Sequence, residues 1–238
     1  MTETILSLTS LEKKPEEQLS LNIGGIIISG IAGTGTSSLA DKFKIKFADI
    51  QLIKIGEFIR RIAEENEEDT TSKIIRDVKT DHMLDKRQME KIFTASSERP
   101  FVSDSRLGGW IANEARRHCI ENNQNEPSIF TILLTGDAEK LLERVHKRQA
   151  KKYPGLSRED SDRLTNDRNN YDLSEFQKRY PDLKGINPHG IKSHNMYDLI
   201  IDTTDEKFKG DSPKEAIEKI FKYVINKLFE DGKIIAYK

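Results

Sequence analysis

Residues Gly30-Ile31-Ala32-Gly33-Thr34-Gly35-Thr36-Ser37 set glycines at the first and sixth positions and a hydroxyl at the eighth. Between a buried strand and a helix, such a turn points backbone N–H groups inward and adds the positive end of the helix dipole. That combination binds phosphate. The template is G-x-x-x-x-G-K-[ST], and Thr36 stands where the lysine belongs. A hydroxyl at Ser37 suits a magnesium ion that bridges phosphates. Without the lysine, either other cations neutralise a transferring phosphoryl group, or the loop binds without catalysing. A glycine turn with no ligand is the bland alternative, and the loop's place after a buried strand argues against it. A dinucleotide site fits less well, because the cluster reads G-x-x-G-x-G and Asp49 precedes the second strand instead of ending it.

Other chemistry-bearing residues follow in chain order. Arg60 falls near the start of a helix, where the dipole does not favour an unpaired cation. An anionic ligand or a plain surface arginine would account for it. Asp81 and Asp85 are four apart on one helix face, where like charges repel mildly; they order a partner or face solvent. Asp104 ends a short strand, a position for a carboxylate that holds magnesium through water. Arg106 can fork two hydrogen bonds onto a phosphate. His189 and His194 have no carboxylate or thiolate at ligand spacing, so neither marks a metal site. Trp110 suits either a binding wall or the core, and Cys119 reads as a packed thiol.

The elements that must position these residues are legible from hydrophobic patterning. Apolar runs at Ile23–Ser29, Ile50–Ile55, Pro100–Asp104, Ser128–Thr135 and Tyr197–Thr204 predict five strands. Leu39, Phe43 and Phe47 predict a helix after the glycine loop, and Ala138, Leu141, Leu142 and Val145 another after the fourth strand. The stretch from Trp110 to Ile120 is expected to be helical. Ser212, Pro213 and Glu215 form the start of a capped helix whose stripe runs from Ala216 to Leu228. Alternating strands and helices predict an α/β fold with a mainly parallel, five-stranded sheet. The polar, irregular stretch at about 150–195 is too long for an idle loop and reads as a lid insertion. Residues 1–21 read as a polar appendage outside the fold, leaving 22–238 as one domain.

Composition narrows the partners. Lys and Arg number 39 against 40 Asp and Glu, a net charge of -1, which excludes holding nucleic acid by bulk charge. Charged residues make up 33% of the chain, so long solvated helix faces are expected around a lean core. One cysteine excludes an intramolecular disulfide and fits a reducing compartment. No apolar run approaches the ~18 residues that span a bilayer, and the start lacks a basic leader. The expected setting is cytoplasmic, with neither membrane nor nucleic acid as a partner.

With these residues in view, the chain resembles the nucleoside monophosphate kinases, and within them the archaeal-type cytidylate kinases. That branch carries a GTGT-[ST]-[ST] loop with threonine in place of lysine, as in Gly33 to Ser38 here. Gly56-Glu57-Phe58-Ile59-Arg60 resembles the start of the monophosphate-binding segment, and TDHMLDKRQME, with Asp81 and Asp85, a paired-aspartate helix. VSDSRLGGW, with Asp104 and Arg106, resembles the segment that ends in R-L-x-G-W. The resemblance runs over about 23–229 and implies a P-loop NTPase-type three-layer fold, with an acceptor-binding segment at about 56–99.

The resemblance also implies transfer of a phosphoryl group from ATP, with magnesium, to a nucleoside monophosphate. CMP or dCMP comes first as the acceptor, with AMP, UMP or another small acceptor as alternatives. Gly30, Gly33, Thr34, Gly35, Thr36, Ser37 and Ser38, with Arg144, would then hold the donor. Arg60, Asp81, Asp85, Asp104 and Arg106 would hold the acceptor, and Ser37 and Asp104 the metal. Arg148, Arg163 and Arg168 resemble arginines that close over the transferring group. The family tends to place an arginine directly before a tyrosine. Here Asn170 precedes Tyr171, and the Arg-Tyr pair falls at Arg179-Tyr180, so Arg163, Arg168 and Arg179 all stay open. Partners are small nucleotides, and the chain is expected to be a monomer or homodimer.

Overall fold

A computed structural model describes residues 18–47, 49–57 and 78–237. Its strands are β1 (Gln18–Leu21), β2 (Gly25–Gly30), β3 (Gln51–Lys54), β4 (Phe101–Asp104), β5 (Ile129–Thr135), β6 (Leu199–Asp202) and β7 (Ile234–Tyr237). Five of them form one parallel sheet in the order β3-β4-β2-β5-β6. The central strand, β2, is buried along its whole length, as its unbroken apolar run requires. Strand pleating sends Ile26 and Ile28 to one face and Ile27 to the other.

Helices cover both faces. On one side α1 (Thr36–Lys46) supplies Leu39 and Phe43, which pack with Phe221 and Val224 of the long helix near the C-terminal end. On the other, α2 (Val78–Phe93) supplies Ile92, and α3 (Gly108–Glu121) supplies Trp110, Ile111 and Ala115. The expected three-layer α/β fold with a five-stranded parallel sheet is what the chain forms. Helices α4 (Ala138–Lys152) and α5 (Arg158–Arg179) pack on each other beyond the sheet, and α6 (Pro213–Glu230) completes the first face. The amide of Glu215 donates to Ser212 Oγ at 3.2 Å, while the Glu215 carboxylate accepts from the Asp211 amide at 2.9 Å. The expected capping box is therefore made one residue early on its return arm.

Two expectations change. The boundary at residue 21 moves, because Gln18–Leu21 pairs antiparallel with Ile234–Tyr237 in a separate two-stranded ribbon. Leu21 and Ile234 enter the core, so this ribbon is part of the fold. The stretch at 150–195 is also more regular than its polarity suggested: α5 alone runs 22 residues. Polar contacts run along it where an apolar stripe would be expected. Ser157 caps it by accepting from the Asp160 amide at 3.0 Å, and Arg158 pairs with Asp162 one turn on. Ser161 Oγ donates to Gln149 Oε1 of α4 at 2.7 Å. Among the described residues, no helix is long and apolar enough to cross a membrane.

Candidate functional site

Because β2 and β4 run parallel with Ile28 opposite Asp104, their carboxyl ends deliver the glycine loop and the Asp104–Arg106 turn side by side. Crevices at the carboxyl ends of such strands are where open α/β sheets bind ligands. Gly33 and Gly35 have φ of 91° and 93°, a left-handed backbone that only glycine adopts cheaply. A Cβ on Gly33 would also lie 2.6 Å from the Leu141 carbonyl oxygen. Thr34 is buried and donates from Oγ1 to the Ile31 carbonyl at 2.8 Å, so it closes the loop from within. Helix α1 starts at Thr36 with no acid in its first turn and no side-chain cap, which leaves its first N–H groups to an external anion.

The Ser37 hydroxyl donates to Asp104 Oδ2 across the junction of α1 and β4. A hydroxyl and a carboxylate form a hard oxygen donor set that fits magnesium, with phosphate and water completing its shell. Among the described residues no group of three or more His, Cys, Asp or Glu could hold a metal unaided. Gln88 of α2 braces the turn: it donates to Ser103 Oγ and accepts from Ser105 Oγ, each at 3.1 Å.

The cleft has a volume of about 230 Å³, with the loop on one side and α5 on the other. Arg148 of α4 and Arg168 of α5 line it, as does Arg179 at the end of α5. Arg106 reaches across to pair with Asp172, whose side chain is 7% exposed. The Arg179 side chain is 5% exposed and lies 4.0 Å from Asp85 Oδ2, over the rings of Phe176 and Tyr180. Tyr180 Oη donates to the same Asp85 carboxylate, and its ring packs on Trp110 with centroids 4.1 Å apart. Aromatic rings thus back the Asp85 and Arg179 side chains where these line the cleft.

Most of the expected residues meet here. Gly30, Gly33, Gly35, Thr36, Ser37 and Ser38 line the cleft, together with Asp85, Asp104 and Arg106. Asp81 falls on α2 one turn before Asp85, and Arg60 lies outside the described residues. Arg144 sits behind the loop, donating to Thr203 Oγ1 and to the Thr203 carbonyl at 2.9 Å each, with Gly33 O at 3.5 Å. It braces the loop backbone from β6. Arg163 is placed apart from the others. It pairs with Asp160 on the exposed side of α5 at 2.8 Å and is not among the residues that line the cleft. Asp172, Glu175 and Phe176 also line the cleft and carry no signal in the sequence, because α5 has no apolar stripe from which to read its inward face.

Beyond the cleft, His189 is held neutral. Burial pushes its pKa down to about 4, with the Arg106 charge adding to the effect and a hydrogen bond to the Arg106 backbone opposing it. Burial likewise raises Tyr197 to about 12.

A family model described as an AAA domain matches residues 29–161, more than half of the chain. A cytidylate kinase of Methanosarcina barkeri is 34% identical over 92 residues, which is 37% of this chain and 49% of that enzyme. The chain thus spans about half the length of that relative. A cytidylate kinase of Pyrococcus horikoshii is 28% identical over 182 residues, covering 75% of this chain and 79% of that enzyme. Among solved structures, an uncharacterized protein from Eubacterium ventriosum superposes with a TM-score of 0.51 at 14% identity. That superposition covers 88% of this chain and 99% of the other and bears on the fold alone.

Proposed function

We infer that this chain, which belongs to the AAA domain family with a P-loop kinase fold, transfers a phosphoryl group from ATP to a nucleoside monophosphate, with CMP or dCMP as the acceptor. One observation carries the reading. The glycine loop and the Arg106 turn, on adjacent strands, open into one cleft whose far wall supplies arginines. The likeness to two archaeal cytidylate kinases supports the choice of acceptor.

The loop amides and the start of α1 would hold the donor phosphates. Ser37 and Asp104 would hold magnesium, which neutralises phosphate charge when bound. Arg106 would exchange Asp172 for the acceptor phosphate and present it in line; Asp85 and, from the acceptor segment at about 56–99, Arg60 and Asp81 would share in holding the acceptor. Arg148 and Arg168 would take the charge that a lysine at position 36 would otherwise meet. Phosphoryl transfer asks little acid–base chemistry of a protein; positioning and charge neutralisation dominate. The stretch at about 150–195, with α5 in it, would act as a lid and exclude the water that otherwise hydrolyses ATP. A cytoplasmic setting, small nucleotides as partners and a monomeric or homodimeric state accompany this reading.

The test is ADP release with ATP and magnesium against CMP, dCMP, UMP, AMP and GMP in turn. Release that depends on CMP or dCMP is the expected result. A flat panel from protein that still binds ATP in calorimetry would overturn the reading in favour of a nucleotide-binding module. Release with another acceptor alone would overturn the base assignment.

A further inference from the structure

We propose that His189 is a positioning residue for the acceptor phosphate, acting through the main chain of Arg106; this rests on the role given to Arg106 above. The stretch that follows α5 folds back over the Arg106 turn as a strap. His189 Nε2 lies 2.6 Å from the Arg106 carbonyl oxygen. A carbonyl only accepts, so Nε2 carries the proton and donates. The ring stays neutral at physiological pH because desolvation disfavours its charged form. This carbonyl lies just ahead of α3, whose first helical hydrogen bond runs from the Ile111 amide to the Leu107 carbonyl. On this carbonyl the strap places the His189 donor.

The strap is built to hold that ring still. The His189 amide donates to Asn187 Oδ1 at 2.9 Å, and Tyr197 Oη donates to the Pro188 carbonyl at 3.0 Å. Ser193, fully buried, donates to the Asn187 carbonyl. The Tyr197 ring presses on Gly109 so closely that a Cβ there would sit 2.1 Å from Cε1. The Gly109 amide in turn donates to Ser29 Oγ of β2 at 3.1 Å.

Arg106 is thus gripped at both ends by one run of chain. Asp172 of α5 holds the guanidinium, and His189 of the strap holds the carbonyl. With its backbone fixed, the side chain can leave Asp172 for a phosphate by rotamer change alone. Without His189 the backbone must also be ordered when the acceptor binds, and that cost falls on the acceptor and not on ATP.

The experiment compares steady-state kinetics of wild type, His189→Ala and His189→Gln with ATP and the best acceptor of the panel. Circular dichroism confirms that each is folded. The glutamine amide can donate from about the place of Nε2. The expected result is an acceptor KM raised about tenfold in His189→Ala, an ATP KM within about twofold of wild type, and most of the acceptor KM recovered in His189→Gln. Equal losses for both substrates, or no change in acceptor KM, would overturn the inference. If His189→Ala does not fold, Tyr197→Phe decides: it frees the Pro188 carbonyl without leaving a void. A several-fold rise in acceptor KM alone supports the inference, and an unchanged KM overturns it. Wild type that is inactive on the whole panel would overturn the proposed function and this inference together. Active wild type with indifferent variants would overturn this inference alone.

Discussion

Arg106, in the turn after β4, and Asp172, in the second half of α5, form an ion pair across the mouth of the cleft, with side chains 24% and 7% exposed. The pair ties the sheet to the wall opposite it. Breaking one partner of an enclosed pair costs more than the pair itself contributes.

Asp172→Asn is therefore expected to lower stability by about 2–3 kcal/mol in urea denaturation. Millimolar inorganic phosphate should restore more stability to this variant than it adds to wild type, because the anion takes the place of the lost carboxylate. Equal phosphate effects in the two proteins would show that the anion does not reach Arg106.

Arg148→Ala and Arg168→Ala should each lower kcat by about a hundredfold or more, with ATP affinity in calorimetry reduced far less. Arg163→Ala should leave kcat and the unfolding midpoint unchanged, since its guanidinium faces Asp160 outside the cleft. A large loss at Arg163 would mean that α5 turns on closing.

Gly33→Ala places a Cβ 2.6 Å from the Leu141 carbonyl at a φ of 91°. The loop would have to move to relieve it. ATP affinity, read by calorimetry, should fall at least about tenfold while the far-UV spectrum stays as in wild type.

Removal of magnesium with EDTA should abolish transfer. Ser37→Ala should raise the magnesium concentration needed for half-maximal rate several-fold, and Asp104→Asn should do so more strongly, as expected for the two groups in contact at the junction of α1 and β4. A magnesium dependence identical to wild type in both would displace the metal from this junction.

The depressed pKa of His189 sets a pH dependence of stability. The unfolded ring titrates near 6.5 and the folded ring at about 4. Its neutral form thus contributes fully above about pH 6.5, and that contribution is lost as pH falls toward 4, up to about 3 kcal/mol. Denaturation midpoints of His189→Gln should fall less steeply over this window than those of wild type. Parallel curves would mean that other groups govern acid stability.

The sheet is legible because its central strands are apolar runs buried on both faces, and the loop because glycine spacing has few other uses. Asp104 and Arg106 followed from their place at the end of such a run. The wall opposite was not legible for a physical reason. Helix α5 docks through Ser161, Thr165 and Asp172, so polar residues point inward and no periodicity marks the face. Arg163 and Arg168 looked equivalent in the sequence, and five positions of helix separate the exposed one from the one in the cleft. The strand at Gln18–Leu21 carries no signal of its own, because four residues are too few to show alternation and its partner is far along the chain at Ile234–Tyr237.

That ribbon bears on how the molecule is made. Asn22 reaches the Gly232 carbonyl across 210 positions, and Leu21 pairs with Ile234. On the ribosome β1 emerges early and waits for almost the whole fold before its partner leaves the exit tunnel. Contacts of such sequence separation form slowly. The parallel sheet can assemble during synthesis, whereas the ribbon closes only after the last helix is out. Leu19 and Leu21 are uncovered for that interval, and a nascent chain arrested before β7 would present a bare strand edge to chaperones and to its neighbours.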